Sequence, residues 1–444
     1  MGFSTNTFLF IFLISLLLVY IPVALFLPKL RIAVLLIASF VFYAWASYKA
    51  IPVLIILILI DYIFGMLVDM ECQRERRRRS VLLLAIPIIL NVGILIYFKY
   101  AEFVLGISFM TLSGISYLVD IYRRKIQAQK NILDFALYLS FFVKITEGPI
   151  IRYSDVSKQI RKPSFTADRF AEGIRRFSIG LGKKVLLADQ IGVVAHDILT
   201  ASNNSPAIAW LGIISYTLQL YLDFSGYSDM AIGLGKMFGF DFKENFNNPY
   251  VSTSLTDFWR RWHISLSNWL RDYIYIPIGG SRSGITYVNL FVTFLIAGFW
   301  HGATWNFILW GGWHGLILCI EKFARKHSDF HFPVFFQHVF TLLFIVIGWV
   351  FFYFNTVSGG FTFLASLFGL TGNMNSGYTL AWYLSQKTIV VLIVSIVACT
   401  PAFDRLGEKM RENRWWDLGY LAILAFSLFA VMSSTFQSFL YFKY

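Results

Sequence analysis

The sequence predicts an all-α integral membrane protein, and three observations carry that reading. Hydrophobic residues make up 57% of the 444 and charged residues only 14%, whereas soluble domains carry about 25% charged residues. Apolar runs recur along the chain at close to the roughly 20 residues that cross a bilayer core. Lys and Arg gather between those runs instead of spreading evenly. A soluble globule could not keep this much apolar surface from water. In lipid the backbone must satisfy itself, and long unbroken apolar runs do so as helices.

The elements follow in order. Residues 8–27 form the first span. Met1–Asn6 holds no Lys or Arg, which predicts a permanent span with its end outside instead of a cleaved signal. Spans at 32–48 and 52–70 lead to Arg74-Glu75-Arg76-Arg77-Arg78-Arg79, which positive-inside logic puts in the cytoplasm. Spans at 81–98 and 103–119 return to Arg123-Arg124-Lys125. Residues 120–184 are broken by Pro149, Pro163 and many charges. They predict interfacial helices and a cytoplasmic loop, with one span at 134–144. Residues 208–222 span again and run into Asp223-Phe224-Ser225-Gly226-Tyr227-Ser228-Asp229, whose carboxylates need a polar cavity or a partner at membrane depth. The stretch 257–272 is too charged to cross lipid and predicts a helix at the interface or inside the protein. Spans resume at 287–299, 305–320, 335–354, 388–400 and 418–432, with an external excursion at 359–386. The chain as a whole is expected to hold about eleven spans in a single domain, 1–444. Its parts are N-terminal spans (1–122), interfacial and cytoplasmic segments (123–207), a polar core (208–320) and C-terminal spans (321–444).

The net charge is +13. Its clustering between apolar runs points to membrane topology and anionic lipid, not to nucleic acid. Cys72, Cys319 and Cys399 are odd in number and far apart, so they give neither a disulfide framework nor a zinc pattern. No H-E-x-x-H helix is present, and no metal is expected.

Chemistry concentrates in two places. His301 lies in Gly298-Phe299-Trp300-His301-Gly302-Ala303-Thr304-Trp305-Asn306, at the end of an apolar run. Burial keeps an imidazole neutral and ready to accept a proton. Gly298 and Gly302 leave room for a substrate or for another backbone. The alternative is a packed histidine bonded to a carbonyl. The second place is Asp257-Phe258-Trp259-Arg260-Arg261-Trp262-His263-Ile264-Ser265-Leu266-Ser267. As one helix it would align Trp259, His263 and Ser267 on a single face. Arg260 and Arg261 would meet a phosphate-bearing donor or an acidic headgroup, or Arg261 would simply pair with Asp257. Trp262, Trp300 and Asn306 join the candidate donor or tunnel residues. His314 lies 13 residues after His301 and would not share its face on one continuous helix. G-x-S-x-G and Walker A signatures are absent. What remains is a base without its own nucleophile, which suits direct transfer to a substrate hydroxyl.

These residues resemble the bacterial membrane-bound O-acyltransferase family. The resemblance runs through Tyr97-Phe98-Lys99-Tyr100, Ile115-Ser116-Tyr117-Leu118-Val119-Asp120-Ile121-Tyr122-Arg123, Gly148-Pro149-Ile150, the Asp223–Ala231 run and Glu244-Asn245-Phe246-Asn247. It continues through Ser254–Arg282, ending in Pro277-Ile278-Gly279-Gly280-Ser281-Arg282, and Trp300-His301-Gly302-Ala303. It is strongest to the branch that holds the alginate O-acetyltransferase membrane subunit, and the D-alanylating branch is more distant. The resemblance implies a ring of helices around a central tunnel, with His301 as catalytic histidine and His263 as the second polar residue of the tunnel. It implies acetyl-CoA as a donor arriving from the cytoplasm, no tightly bound cofactor, and the bacterial cytoplasmic membrane as location. Phe439-Leu440-Tyr441-Phe442-Lys443-Tyr444 resembles the family's terminal aromatic motif. By that analogy Tyr444 relays the acyl group to an extracellular SGNH-type transferase acting on an exported polysaccharide; the alternative is an interfacial anchor. D-alanyl transfer to teichoic acid is the competing enzyme reading. A transporter lined by Asp223, Asp229 and His301, or a scaffold for polymer export, are the competing classes.

Overall fold

The computed structural model describes residues 2–102, 104, 106–145, 148–201, 204–328, 332–371, 378–411 and 414–433. Among them all regular structure is helical, with no strand. The chain divides into two compact units, 1–177 with 227–244, and 178–226 with 245–444.

The first unit opens with α1 (Thr7–Phe26), α2 (Pro28–Ala46), α3 (Tyr48–Gln73) and α4 (Arg77–Tyr100), each long and apolar enough to cross a membrane. On α4 only 11% of the apolar window is buried, so its aliphatic side chains face outward, where lipid is the natural solvent. α5 (Ile107–Tyr122) packs on α3 and α4 and is buried along nearly its whole length, polar Thr111, Ser113, Ser116 and Asp120 included. Asp61 of α3 accepts a 2.7 Å bond from Asn91 Nδ2 of α4. It lies against Gly114 of α5, where any Cβ would collide with its carboxyl.

The expected span at 134–144 is not formed. α6 (Ile132–Ser140) ends at Phe141 (φ −54°, ψ 113°), and α7 (Phe142–Ile145) is one turn. Nine helical residues reach only about 14 Å. The local cause is polar: buried Lys144 donates to Ser113 Oγ at 3.2 Å and lies 4.0 Å from the Tyr138 ring centre. α8 (Tyr153–Arg161) is amphipathic and buries Tyr153, Val156 and Ile160 at helical spacing. α9 (Ala167–Gly182) carries Arg176, which pairs with Asp229 and Glu244, each at 2.6 Å.

Lys183–Ala188 and α10 (Asp189–Thr200) open the second unit, and α11 (Pro206–Met237) is a 32-residue helix with 78% of its apolar window buried. Lys184 Nζ bridges Asp189 at 2.7 Å and Asp223 at 2.8 Å. Both carboxylates flagged by the sequence are therefore neutralised by cations. α12 (Leu255–Arg261) and α13 (Ile264–Leu270) are short. α14 (Thr286–His301), α15 (Trp305–His327) and α16 (Val334–Tyr353) frame the site. α17 (Val357–Leu367), α18 (Leu380–Tyr383), α19 (Gln386–Ala398), α20 (Pro401–Arg411) and α21 (Asp417–Ser433) follow.

By length and apolarity six helices of the described residues are candidate spans, or seven with α19 and α20 taken as one span bent by 80°. The sequence leads one to expect about eleven. The difference lies first in the expected spans at 103–119, 287–299 and 418–432, whose helices α5, α14 and α21 have only 16 or 17 residues, shorter than the roughly 20 a straight crossing needs. It lies also in 134–144, where no span forms, and in 305–320, whose helix α15 is not apolar enough to be a candidate span.

Candidate active site

α14 and α15 form a hairpin closed by residues 302–304. Its two helices approach closely because glycines face each other. A Cβ on Gly298 would stand 3.3 Å from Gly311 Cα and collide with the Phe307 carbonyl, and one on Gly302 would collide with the Phe307 ring. The space these glycines leave thus belongs to α15. His301, the last residue of α14, is 4% exposed. Its ring packs against Trp300 at 4.8 Å, Trp310 at 4.9 Å and Phe352 at 5.2 Å between centroids, all near edge-to-face, with Phe307 at 6.3 Å.

The hairpin also changes the place of His314. On one straight helix it would face away from His301; here both rings contact Trp310, His314 at 5.2 Å. Trp259 lies 5.1 Å from His314 and 5.6 Å from Trp310. Gly348 of α16 makes room, since a Cβ there would collide with His314 Nε2. The buried Nε1 atoms of Trp259 and Trp310 and both ring nitrogens of His314 have no hydrogen-bond partner. So dense a set of unengaged polar atoms is uncommon in protein interiors.

The segment 254–270 is two helices, not one. Ser254 caps α12 by accepting from Asp257 N–H at 3.1 Å, and Glu321 accepts from Leu255 N–H at 2.8 Å. Trp262 is extended and His263 is left-handed (φ 42°). Trp259, His263 and Ser267 therefore do not share one helical face. Ser267 Oγ donates instead to the Trp262 carbonyl at 3.3 Å, supporting the turn.

His263 is held at Nδ1 by Asn245 Oδ1 at 3.1 Å. The same oxygen accepts from Ser265 N–H at 3.1 Å and from its hydroxyl at 2.8 Å. A backbone N–H must donate, so this atom is the amide oxygen and Nδ1 carries the proton. Nε2 is left as a buried acceptor without a partner. Burial pushes the imidazole pKa down to about 3, so the ring is neutral near pH 7. Phe224 packs on it at 4.7 Å. The way from His263 to His301 runs through its neighbour Trp262, then Trp349 at 4.9 Å from Trp262, and Trp310 at 6.3 Å from Trp349.

The remaining candidates separate. Arg260 is exposed, and Arg261 pairs with Asp257 at 2.9 Å, as their spacing allowed. Asn306 is committed to structure: its Nδ2 donates to the carbonyls of Phe354 and, at 3.1 Å, Thr356. Tyr444 lies outside the described residues. Among the described residues no group of His, Cys, Asp or Glu is arranged to hold a metal. Sequence reasoning missed Asn245 as the partner of His263 and Trp310 as the contact of His301. Asn245 lies 18 residues from its histidine, and no local spacing rule reaches that far.

The model of the membrane-bound O-acyltransferase family matches residues 121–364, a stretch that includes both histidines. The chain is 42% identical over 381 residues to the probable alginate O-acetylase AlgI of Pseudomonas putida, covering 79% of this chain and 77% of that protein. It is 36% identical over 398 residues to the peptidoglycan O-acetyltransferase of Helicobacter pylori, covering 78% and 74%. It is 29% identical over 236 residues to the teichoic acid D-alanyltransferase of Bacillus subtilis, covering 50% and 60%. With the family model over more than half its length and this identity to full-length relatives, the chain belongs to the membrane-bound O-acyltransferase family and is a multi-pass membrane O-acyltransferase.

Proposed function

We propose that the protein O-acetylates an exported polysaccharide, taking the acetyl group from acetyl-CoA at the cytoplasmic face with His301 as general base. The observation that carries this is the buried His301 ring, walled by Trp300, Phe307, Trp310 and Phe352, inside the region matched by the family model. Similarity to relatives named as acetylases of alginate and of peptidoglycan supports acetyl as the group and a polysaccharide as the acceptor.

The chemistry needs few parts. His301 takes the proton of an acceptor hydroxyl as its oxygen attacks the thioester carbonyl. The C–S bond then breaks, and the leaving thiolate takes the proton back from the imidazolium. Base assistance of this kind contributes about 10²–10⁴-fold. A site walled by aromatic rings excludes water that would hydrolyse the thioester. Neutral His263, with Nε2 unengaged, offers an acceptor that orients a hydroxyl. Arg260 is the exposed guanidinium for the phosphates of the donor, while Trp259, Trp262, Trp300 and Ser267 line the approach. Tyr444 takes the acetyl group and passes it to a separate extracellular transferase. The ion pairs of Asp223 with Lys184 and of Asp229 with Arg176 favour an enzyme over an ion path, because the carboxylates are already matched by cations.

The test is direct. Full-length protein in proteoliposomes is given acetyl-labelled acetyl-CoA, or D-alanyl carrier protein in a parallel arm. Label should pass from acetyl-CoA to a hydroxyl acceptor or to Tyr444. Transfer from the aminoacyl carrier alone would reverse the assignment in favour of D-alanylation.

A further inference from the structure

We infer that the indole N–H of Trp310 is the oxyanion donor of the acyl-transfer step. This rests on the reading of His301 as base and deepens it.

The acyl-transfer step needs a group that the base does not supply. When the hydroxyl oxygen adds to the thioester carbon, the carbonyl π pair moves onto its oxygen. That oxygen carries a full negative charge until the C–S bond breaks. In a site walled by aromatic rings such a charge needs a preorganised donor. Three donors on or beside α14 and α15 are already committed. Gly302 N–H is bonded to the Gly298 carbonyl at 3.2 Å. The Asn306 amide is spent on the Phe354 and Thr356 carbonyls. Trp313, on the same helix, gives its Nε1–H to the Phe344 carbonyl at 2.8 Å. Trp310 differs from these. It is 2% exposed, its ring touches that of His301 at 4.9 Å and 84°, and its buried Nε1 has no partner. Indole nitrogen is a donor only, so it can gain a bond from a carbonyl oxygen and gains more as that oxygen becomes charged. Trp259, whose Nε1 is also unengaged, packs behind Trp310 at 5.6 Å. His314 packs beside Trp259, 5.2 Å from Trp310 and 5.1 Å from Trp259. Trp310 is thus held between rings with its one polar atom uncommitted, beside the proposed base.

The experiment compares wild type, Trp310→Phe, Trp313→Phe and His301→Ala, all full length and in lipid, with acetyl-CoA as donor. Trp310→Phe should lower kcat about 10²–10³-fold, the usual effect of removing one oxyanion donor. Its KM for acetyl-CoA and its affinity for a non-transferable thioether analogue should stay within about threefold of wild type, because the bond is strong only in the transition state. Trp310→His, which returns a ring N–H, should recover part of kcat. Trp313→Phe should stay within about threefold of wild type throughout. If Trp310→Phe keeps wild-type kcat, or loses analogue affinity and kcat together, the inference is overturned. An equal loss of kcat in Trp313→Phe would also overturn it, since the effect would then be general softening of α15. Turnover retained by His301→Ala would instead remove the base reading, whatever Trp310 does.

Discussion

Gly298 of α14 and Gly311 of α15 meet backbone to backbone, so that a Cβ built on either would lie 3.3 Å from the Cα of the other. His301 lies one turn beyond Gly298 and Trp310 adjoins Gly311, and their rings are 4.9 Å apart. Gly311→Ala would drive a methyl into the Phe294 carbonyl. Overpacking of this kind costs about 1–3 kcal/mol, and a displacement of about 1 Å at a reacting group costs about 10²-fold in rate. The variant should melt several degrees lower and lose at least about tenfold in acetyl transfer. Unchanged turnover would show that hairpin spacing does not position the base.

Lys184 bridges Asp189 and Asp223. Lys184→Met leaves both carboxylates in place, and breaking a buried pair from one side costs about 3–5 kcal/mol. The variant should express poorly or melt much earlier. Adding Asp223→Asn should restore part of the loss. Thermal unfolding in detergent checks both, and a stable single variant would mean the pair contributes little.

His263 gives a pH dependence with a definite sign. Burial holds its folded pKa at about 3, below the roughly 6.5 of an exposed imidazole. The unfolded chain therefore binds this proton first. The contribution to stability is fully present above pH 6.5 and is lost progressively as pH falls toward 3. Melting temperature measured between pH 7.5 and 4 should fall less steeply for His263→Gln than for wild type. Equal slopes would place the acid sensitivity elsewhere.

Asn306 separates two roles. As the strut described, Asn306→Ala should destabilise by about 1–3 kcal/mol through two unmet carbonyls, with KM for acetyl-CoA unchanged in the folded fraction. A raised KM with unchanged melting temperature would return Asn306 to the donor site, where the sequence had suggested it.

The sequence carries the fold class and the long spans, because apolar run length is a local signal, and it singles out two histidines beside tryptophans that the structure buries. It misleads where a local pattern is cut by tertiary structure. The i, i+4 alignment of Trp259, His263 and Ser267 assumed one helix, but His263 adopts a left-handed backbone that turns the chain. The 134–144 run is apolar enough to span, yet Lys144 is drawn to Ser113 of α5, and the helix breaks at Phe141. The 13-residue separation of His301 and His314 excludes a shared face on one continuous helix, and the turn at 302–304 brings both rings onto Trp310. The partners of Asp223 and Asp229, Lys184 and Arg176, lie 39 and 53 residues away, beyond any spacing rule.

The central claim is that the His301 imidazole removes a proton from the attacking hydroxyl. The most direct measurement is single-turnover acetyl transfer from acetyl-CoA by His301→Gln in lipid, with melting temperature recorded on the same preparation. The account predicts a loss of about 10²–10⁴-fold with melting temperature and acetyl-CoA binding close to wild type. Turnover within a few fold of wild type in that folded variant would contradict it.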